Sequence, residues 1–380
     1  MRILLIIDHF GAGGAQRQIV ELACGLRRRG HAVEMFVYFP RYDFFRARLD
    51  EQQIPVHEQD KERTGSGAVV TGLARVLRAG RFDVAVAFLS TANVYAELAH
   101  IAAPRTRLVV SERSSYHDDK SAVGSLLRRV LHLLADRVVA NSETQAAWLR
   151  GRRWLRSKVA CIYNGVDLES FRTSLPQPPQ PQALRLLGIG RVGPEKNVLA
   201  LIRALAHFGA HYGYVPEVSW AGPRDQSVAG QRYCAEVDAW LASAPQVEQH
   251  WHWLGLRRDV PELLRAHHAL VHPSLYEGAP NAICEALAAA RPVLASEVCD
   301  HPLLVADGAR GFLFDPRAPE SIVRALVRLT QLDAEGWQAL GRNARAYAEA
   351  ELGIERMVGR YEALCAGLLG DGATSQVASR

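Results

Sequence analysis

Short apolar runs alternate along the chain with longer stretches whose apolar positions recur every three or four residues. That is the pattern of parallel strands separated by the helices that cover them. A first series of strands is predicted at RILLIID (2–8), HAVEMFVY (31–38), IPVHEQ (54–59), FDVAVAFL (82–89), RLVVSE (107–112), DRVVAN (136–141) and KVACIYN (158–164). Beyond Asn164-Gly165-Val166-Asp167 comes LPQPPQPQ (175–182), too rich in proline for a helix or an interior strand. A second series follows at LRLLGIGR (184–191), EVSWAG (217–222), HWHWLG (250–255), ALVHPS (269–274), PVLAS (292–296) and GFLFD (311–315). The pattern predicts an α/β protein of two doubly wound domains, residues 1–174 and 184–370, joined by a linker at 175–183 and followed by a disordered tail at 371–380. In such folds the ligand is expected in the cleft at the C-terminal ends of the strands.

The chain has 380 residues, 48% apolar and 22% charged, enough to build real cores. No apolar run approaches the roughly 18–20 residues that cross a bilayer, and the first strand is broken at once by Asp8 and His9. With no cleavable leader legible after Met1-Arg2, the expectation is a cytoplasmic protein. The cysteines Cys24, Cys161, Cys234, Cys284, Cys299 and Cys365 are scattered without a Cys-x-x-Cys pair and read as reduced thiols, not a zinc site. The net charge of +5 is unevenly placed: residues 1–175 carry 26 basic against 18 acidic residues, and the remainder 19 against 22. The first half therefore has reason to face something anionic. No nucleic-acid-binding signature accompanies it, which leaves a membrane surface or an anionic substrate.

Asp8-His9-Phe10-Gly11-Ala12-Gly13-Gly14-Ala15-Gln16 closes the first strand and opens a helix. Glycines at such a turn let backbone amides approach a phosphate, and a tight turn alone explains one glycine better than three. Gln16 stands where a dinucleotide fingerprint needs its last glycine, and Tyr38-Phe39-Pro40 stands where its acidic ribose ligand belongs, so a nicotinamide site is disfavoured. In the second domain, Gly190-Arg191-Val192-Gly193-Pro194-Glu195-Lys196-Asn197 sets two cations beside a helix start. They oppose the helix dipole unless an anion lies between them. Lys196 is the only lysine after residue 158 in a chain where 41 of the 45 basic residues are arginine, and a compact point charge there suits a diphosphate oxygen. The segment HPSLYEGAPNAICEALAAARPVLAS (272–296) carries the strongest signal. Glu277 precedes a helix, and Glu285 is expected about two turns further on nearly the same face. Dipole compensation accounts for Glu277 but not for Glu285, a carboxylate amid Ile283, Cys284, Ala286 and Leu287 that needs a partner such as ribose hydroxyls.

Three other patches are weighed. Ser111-Glu112-Arg113-Ser114-Ser115-Tyr116-His117 follows the fifth strand at the ligand end of the first domain. The helix at 121–134 mixes leucines with Arg128, Arg129 and His132, which suits either core packing with a basic outer face or an anionic bilayer. WLRGRRWLRSK (148–158) leads into the start of a strand and is given a membrane or surface role at most. No Asp-x-Asp and no clustered ligand set is present, so neither a metal nor a cofactor is expected, and Arg191 with Lys196 would neutralise a leaving group.

Taken together these residues resemble the retaining, nucleotide-sugar-dependent glycosyltransferases of family four, with the GT-B fold of two Rossmann-like domains facing a central cleft. The likeness runs from residue 1 to near residue 350 and rests on the Gly13-Gly14 loop, NGVDLESF (164–171), GIGRVGPEKN (188–197), EGAPNAICEA (277–286) and RPVLAS (291–296). The resemblance implies an acceptor-binding first domain and a donor-binding second one. It implies that Arg191 and Lys196 hold the donor diphosphate, Glu285 binds the ribose and Glu277 contacts the transferred sugar, with Arg191, Lys196 and Glu277 serving catalysis. Gly13 and Gly14 would lie near the phosphates, and amides around Gly278, Ala279 and Asn281 would complete the anion site. Two positions depart from the family: Gln16 replaces a common glutamate, and Arg113 falls where many members have a histidine, a contact that His117 could supply instead. The Ser-Glu-Arg segment is similar to members that build bacterial surface polysaccharides on polyprenyl diphosphate carriers. The expectation is a hexosyl- or N-acetylhexosaminyltransferase using a UDP-sugar, GDP staying open, and a polyprenyl-linked acceptor, peripheral on the inner face of the cytoplasmic membrane, with no nucleic-acid partner. A soluble transferase with a non-lipid acceptor and a noncatalytic nucleotide-sugar-binding partner of a membrane assembly complex stay open beside it.

Overall fold

The computed structural model describes residues 1–113 and 129–375. They divide into two compact units, Met1–Gly165 with the chain from Ile354 onward, and Val166–Gly353. The first unit is built on a parallel sheet of β1 (Arg2–Ile7), β2 (Ala32–Val37), β3 (Val56–Glu58), β4 (Val84–Phe88), β5 (Arg107–Glu112), β6 (Arg137–Ala140) and β7 (Val159–Cys161). Their spatial order is β3-β2-β1-β4-β5-β6-β7, so the winding reverses between β1 and β4.

Strand periodicity sorts β1 between two cores. Ile3, Leu5 and Ile7 enter one with Ile19, Leu22, Ala23 and Leu26 of the helix Gly14–Arg28. Leu4 and Ile6 enter the other with Phe36, Tyr38, Leu73 and Leu77. Every side chain from Ile3 to Ile7 is fully buried, which is why this run is continuously apolar rather than alternating.

The last helix, Ile354–Ser375, belongs to the first unit, although the pattern assigned residues up to 370 to the second domain. Met357, Val358, Tyr361, Cys365 and Leu368 recur on one helical face and join the core of the first unit. Gly25 permits the close approach, since a Cβ there would lie 2.4 Å from Val358 Cγ2. Sequence periodicity shows that this helix has a buried face but not which core that face meets, so the domain assigned to 184–370 ends at Gly353. The helix also runs through residues 371–375 of the segment expected to be a disordered tail; residues 376–380 lie outside the described residues.

The proline-rich stretch does not join the units. Arg291 donates to Ser174 O and Thr173 Oγ1, both at 3.2 Å, and Pro176 lies against Gly341, all within the second unit. The crossings fall at Gly165–Val166 and Gly353–Ile354. A Cβ on Gly165 would lie 2.8 Å from the backbone of Ile354, and the fully buried Gln18 clasps Gly165 by accepting from its N–H (2.8 Å) and donating to its carbonyl (2.9 Å).

The second unit repeats the plan with β8 (Arg185–Ile189), β9 (Glu217–Ala221), β10 (Trp251–Gly255), β11 (Ala269–His272), β12 (Val293–Ser296) and β13 (Gly311–Phe314). Their order is β10-β9-β8-β11-β12-β13, with the reversal between β8 and β11. Leu186, Val218, Trp220, Val271, Leu294 and Phe312 meet Leu201, Leu205 and Phe208 of the helix Val198–Tyr212 and Ile322 and Leu326 of the helix Pro319–Thr330.

Because Tyr361 is buried against Phe88, with ring centroids 5.8 Å apart, Tyr361→Ala is expected to destabilise the first unit by about 3–5 kcal/mol. Urea unfolding checks this; an unchanged midpoint would remove the last helix from that core.

Candidate functional site

Both cations singled out in the sequence stand where β8 ends at the reversal of the second sheet, the place where doubly wound folds bind ligands. Local packing makes the glycines before them obligatory. A Cβ on Gly188 would lie 2.2 Å from the Trp220 ring. Gly190 takes φ +151°, and a Cβ there would lie 2.9 Å from Lys196 Cε, so the stem of the lysine passes over bare backbone. Lys196 closes a short 3₁₀ turn, Pro194–Lys196, and Asn197 follows in the left-handed region at φ 54°. The Asn197 amide donates to Pro273 O (3.1 Å) and Pro316 O (2.8 Å), and Leu275 N–H donates to Glu195 O (2.8 Å). The lysine loop is thereby tied to the segment that follows β11.

That tie brings Lys196 and Glu277 together. Nζ of Lys196 donates to Oε1 of Glu277, and both side chains are mostly buried, 17% and 12% exposed. The same oxygen accepts from His272 Nε2–H at 2.9 Å and Ser274 Oγ–H at 2.7 Å. Burial alone would push the Glu277 carboxyl up, but the His272 hydrogen bond and the Lys196 charge outweigh it and hold the group far below the usual carboxylate range. Burial pushes His272 down, so its imidazole is neutral. Arg191 is more open, 54% exposed, and donates through Nη2 to Glu195 Oε1 (2.8 Å) with Asp225 Oδ2 3.6 Å from its Nε. Two cations beside one helix start are thus balanced by three carboxylates of the chain itself, and Glu195 and Asp225 escaped the sequence reading although Glu195 lies inside the motif.

The helix after β11 begins only at Asn281. Glu277 therefore sits in a loop, and the expected two-turn spacing to Glu285 does not apply; the chain through Gly278, Ala279 and Pro280 sets their relation. Glu285 is 5% exposed between buried Cys284 and Ala286. Of the amides expected to complete an anion site, that of Asn281 donates to Ala279 O at 3.0 Å.

In the first unit, Gly13 caps the helix that Gly14 opens, and a Cβ on Gly13 would lie 2.1 Å from Gln16 Oε1. Gln16 folds back to donate to Asp8 Oδ1 at 2.9 Å, a bond that a glutamate at position 16 would replace with repulsion. Arg113 stacks over Phe88 at 4.1 Å and donates to Asn164 Oδ1 and to Ser111 Oγ (3.3 Å), with no carboxylate partner among the described residues. His117 and most of the 121–134 helix lie outside the described residues.

Sequence reasoning missed a buried ion cluster at the end of β5. His132 Nδ1 lies 2.5 Å from Glu97 Oε1 and Nε2 lies 3.3 Å from Glu112 Oε1, which also accepts from Asn93 Nδ2 at 2.9 Å. Burial opposes a charge on His132, but Glu112 and Glu97 prevail and push it up to about 9. Asn93 and Glu97, one turn apart among buried alanines of the helix Ser90–His100, are the signal that was legible.

Residues 12–170 match the family model described as Glycosyltransferase Family 4, and residues 183–331 match that described as Glycosyl transferases group 1. The UDP-Gal:alpha-D-GlcNAc-diphosphoundecaprenol alpha-1,3-galactosyltransferase of Escherichia coli is 29% identical over 199 residues, covering 50% of this chain and 49% of that protein. The D-inositol 3-phosphate glycosyltransferase of Streptomyces avermitilis is 32% identical over 240 residues, covering 56% and 49%. The chain spans about half the length of these curated relatives. Among solved structures, HepE of Anabaena in complex with UDP and glucose superposes with a TM-score of 0.80 at 22% identity, over 96% of this chain and 99% of that one.

Since His132 binds its proton more tightly folded than at the ordinary value of 6.5, its contribution to stability is complete below pH 6.5 and is lost as pH rises through about 9. Urea unfolding is expected to show the first unit weakening across that window, and His132→Gln to flatten the slope; an equal slope in the variant would contradict the assignment.

Proposed function

The chain belongs to the glycosyltransferases of family four and has their GT-B fold, and from that premise we propose that it transfers a sugar from UDP to a hydroxyl of a polyprenyl diphosphate-linked acceptor, with retention of anomeric configuration. The observation that carries the reading is the buried Lys196–Glu277 pair at the reversal of the second sheet, with Arg191 beside it.

Each group has a distinct task. An ammonium has three donors, so Lys196 can keep Glu277 and still reach a diphosphate oxygen. The guanidinium of Arg191 is half exposed beside its carboxylates, and its several planar donors let it turn part of its fork to a phosphate. Together the two cations stabilise charge on the departing diphosphate, and the acceptor hydroxyl attacks from the face that the leaving group occupies, giving up its proton to that diphosphate. Glu277 orients the sugar, and the buried carboxylate of Glu285 takes the ribose hydroxyls. The first unit takes the acceptor in this reading, and the transferred group is a hexose or N-acetylhexosamine.

The names of relatives support the donor and acceptor classes: the E. coli relative uses UDP-Gal and a diphosphoundecaprenol-linked sugar, and HepE was captured with UDP and glucose. No described helix is long and apolar enough to cross a membrane. Exposed Leu98, Ile101, Leu133 and Trp154 lie on the unit that carries the basic excess, which supports peripheral contact with an anionic bilayer. A second reading, a soluble polyol phosphate acceptor, is favoured by the inositol-phosphate enzyme among the relatives.

In a thermal-shift panel, UDP at about 100 times its dissociation constant is expected to stabilise the protein by roughly 2.7 kcal/mol, with GDP, ADP and NAD near baseline. Lys196→Ala is expected to lower turnover of UDP-sugar about 100- to 1,000-fold with its circular dichroism retained. A shift with NAD alone, or near-normal turnover in the variant, would overturn the reading.

A further inference from the structure

Glu277 meets the protein through one oxygen and leaves the other open. Lys196, His272 and Ser274 all donate to Oε1, and Oε2 accepts no hydrogen bond among the described residues. A carboxylate loaded on one side cannot rotate without breaking all three bonds. We infer that His272, braced by His301, is a positioning residue that aims Oε2 of Glu277 at a hydroxyl of the transferred sugar, and so governs recognition of the sugar rather than of the diphosphate. The inference rests on the donor-site reading of Glu277 given above.

The neutral imidazole fits this task. An ionised carboxylate only accepts, so the His272 contact is a donation from Nε2–H, which fixes the tautomer. As the last residue of β11, His272 has a backbone set by its pairing with Ala295 of β12, so the ring stands on a rigid base. Behind it lies the ring of His301, 5.3 Å away between centroids and inclined by 69°. His301 is wholly buried; it donates from Nδ1 to Ser296 O at 2.8 Å, and its Nε2 has no partner among the described residues. An unpartnered buried nitrogen costs stability, so the ring is kept in place by its Nδ1 bond to Ser296 and its contact with His272. What His301 provides is a flat ring edge against which His272 cannot swing.

The segment that carries His301 also grips the backbone of Glu277. Cys299 Sγ accepts from Glu277 N–H at 3.4 Å, and Cys299 is held at φ +48°, a left-handed conformation unusual for a non-glycine residue. Residues 296–301 thus fix Glu277 twice, through the backbone by way of Cys299 and through the side chain by way of His272. The loop that carries Lys196 has an anchor of its own, because Asn197 ties it to Pro273 and Pro316 without using either histidine.

Calorimetry on the full chain separates these roles, with UDP, UDP-glucose, UDP-galactose and UDP-N-acetylglucosamine as probes for wild type, His272→Ala and His272→Gln. UDP affinity is expected to stay within 3-fold in both variants. The preference of the wild type for its best UDP-sugar over UDP is expected to fall about 10-fold in His272→Ala, and His272→Gln, which restores an N–H donor, is expected to recover part of it. The same order is expected in kcat for donor hydrolysis, with little change in inhibition by UDP. An unchanged sugar preference in His272→Ala, or an equal loss for UDP and UDP-sugars in both variants, overturns the inference alone. Failure of the wild type to bind UDP at all overturns the donor reading and the inference with it.

Discussion

A lysine and a glutamate leave water together only if they meet, because either charge buried alone costs several kcal/mol. Much of the architecture at the end of β8 follows from that requirement for Lys196 and Glu277. Gly190 gives the lysine stem a path over bare backbone, Asn197 turns the chain through the left-handed region so that the loop docks on Pro273, and His272 and Ser274 add the hydrogen bonds that a buried carboxylate needs. The result is an ion pair whose two members each keep unused capacity, the remaining donors of the ammonium and the second oxygen of the carboxylate. Under the proposed function, a site already charged, oriented and partly dry favours electrostatic catalysis, since little reorganisation accompanies the reaction.

The first unit meets the same constraint by other means. His132 is bracketed by Glu97 and Glu112, so one buried cation serves two carboxylates. Arg113 lacks a carboxylate partner among the described residues and is held by the face of Phe88, the amide of Asn164 and the hydroxyl of Ser111. A guanidinium tolerates this better than an ammonium because it is weakly hydrated and stacks on aromatic faces. The residue that the resemblance sets where many members have a histidine is therefore embedded in the wall of its own unit.

Much of the fold was legible because strand cores leave a local signature. Each expected strand has its counterpart among the seven and six strands of the described residues, although β7 is confined to Val159–Cys161 of the predicted 158–164. Properties that depend on distant partners were not legible. The amphipathic face of Ile354–Ser375 gave no sign that it closes the core of the first unit, and the prolines at 175–182 read as a linker although Arg291 draws the preceding residues onto the second unit. At the site, residue type and strand-end position pointed to Arg191, Lys196 and Glu277, which the structure places at the end of β8 and after β11. Who pairs with whom was not legible, since Lys196 and Glu277 are 81 positions apart and meet only through the tertiary tie of Asn197 to Pro273. His272 lay inside the motif and passed as a strand residue, because a histidine gives no sign in sequence of which atom it serves.

The central claim is a division of labour, with Lys196 serving the diphosphate and Glu277 the sugar while the two share a charge. Titration calorimetry of Glu277→Gln with UDP tests it most directly. Removing the competing carboxylate charge leaves Lys196 to the diphosphate alone, so the variant is expected to bind UDP as tightly as the wild type or more tightly, while its turnover of UDP-sugar falls by at least about 10-fold. UDP binding weakened 10-fold or more in a variant that remains folded would contradict the account, because Glu277 would then belong to the diphosphate site itself.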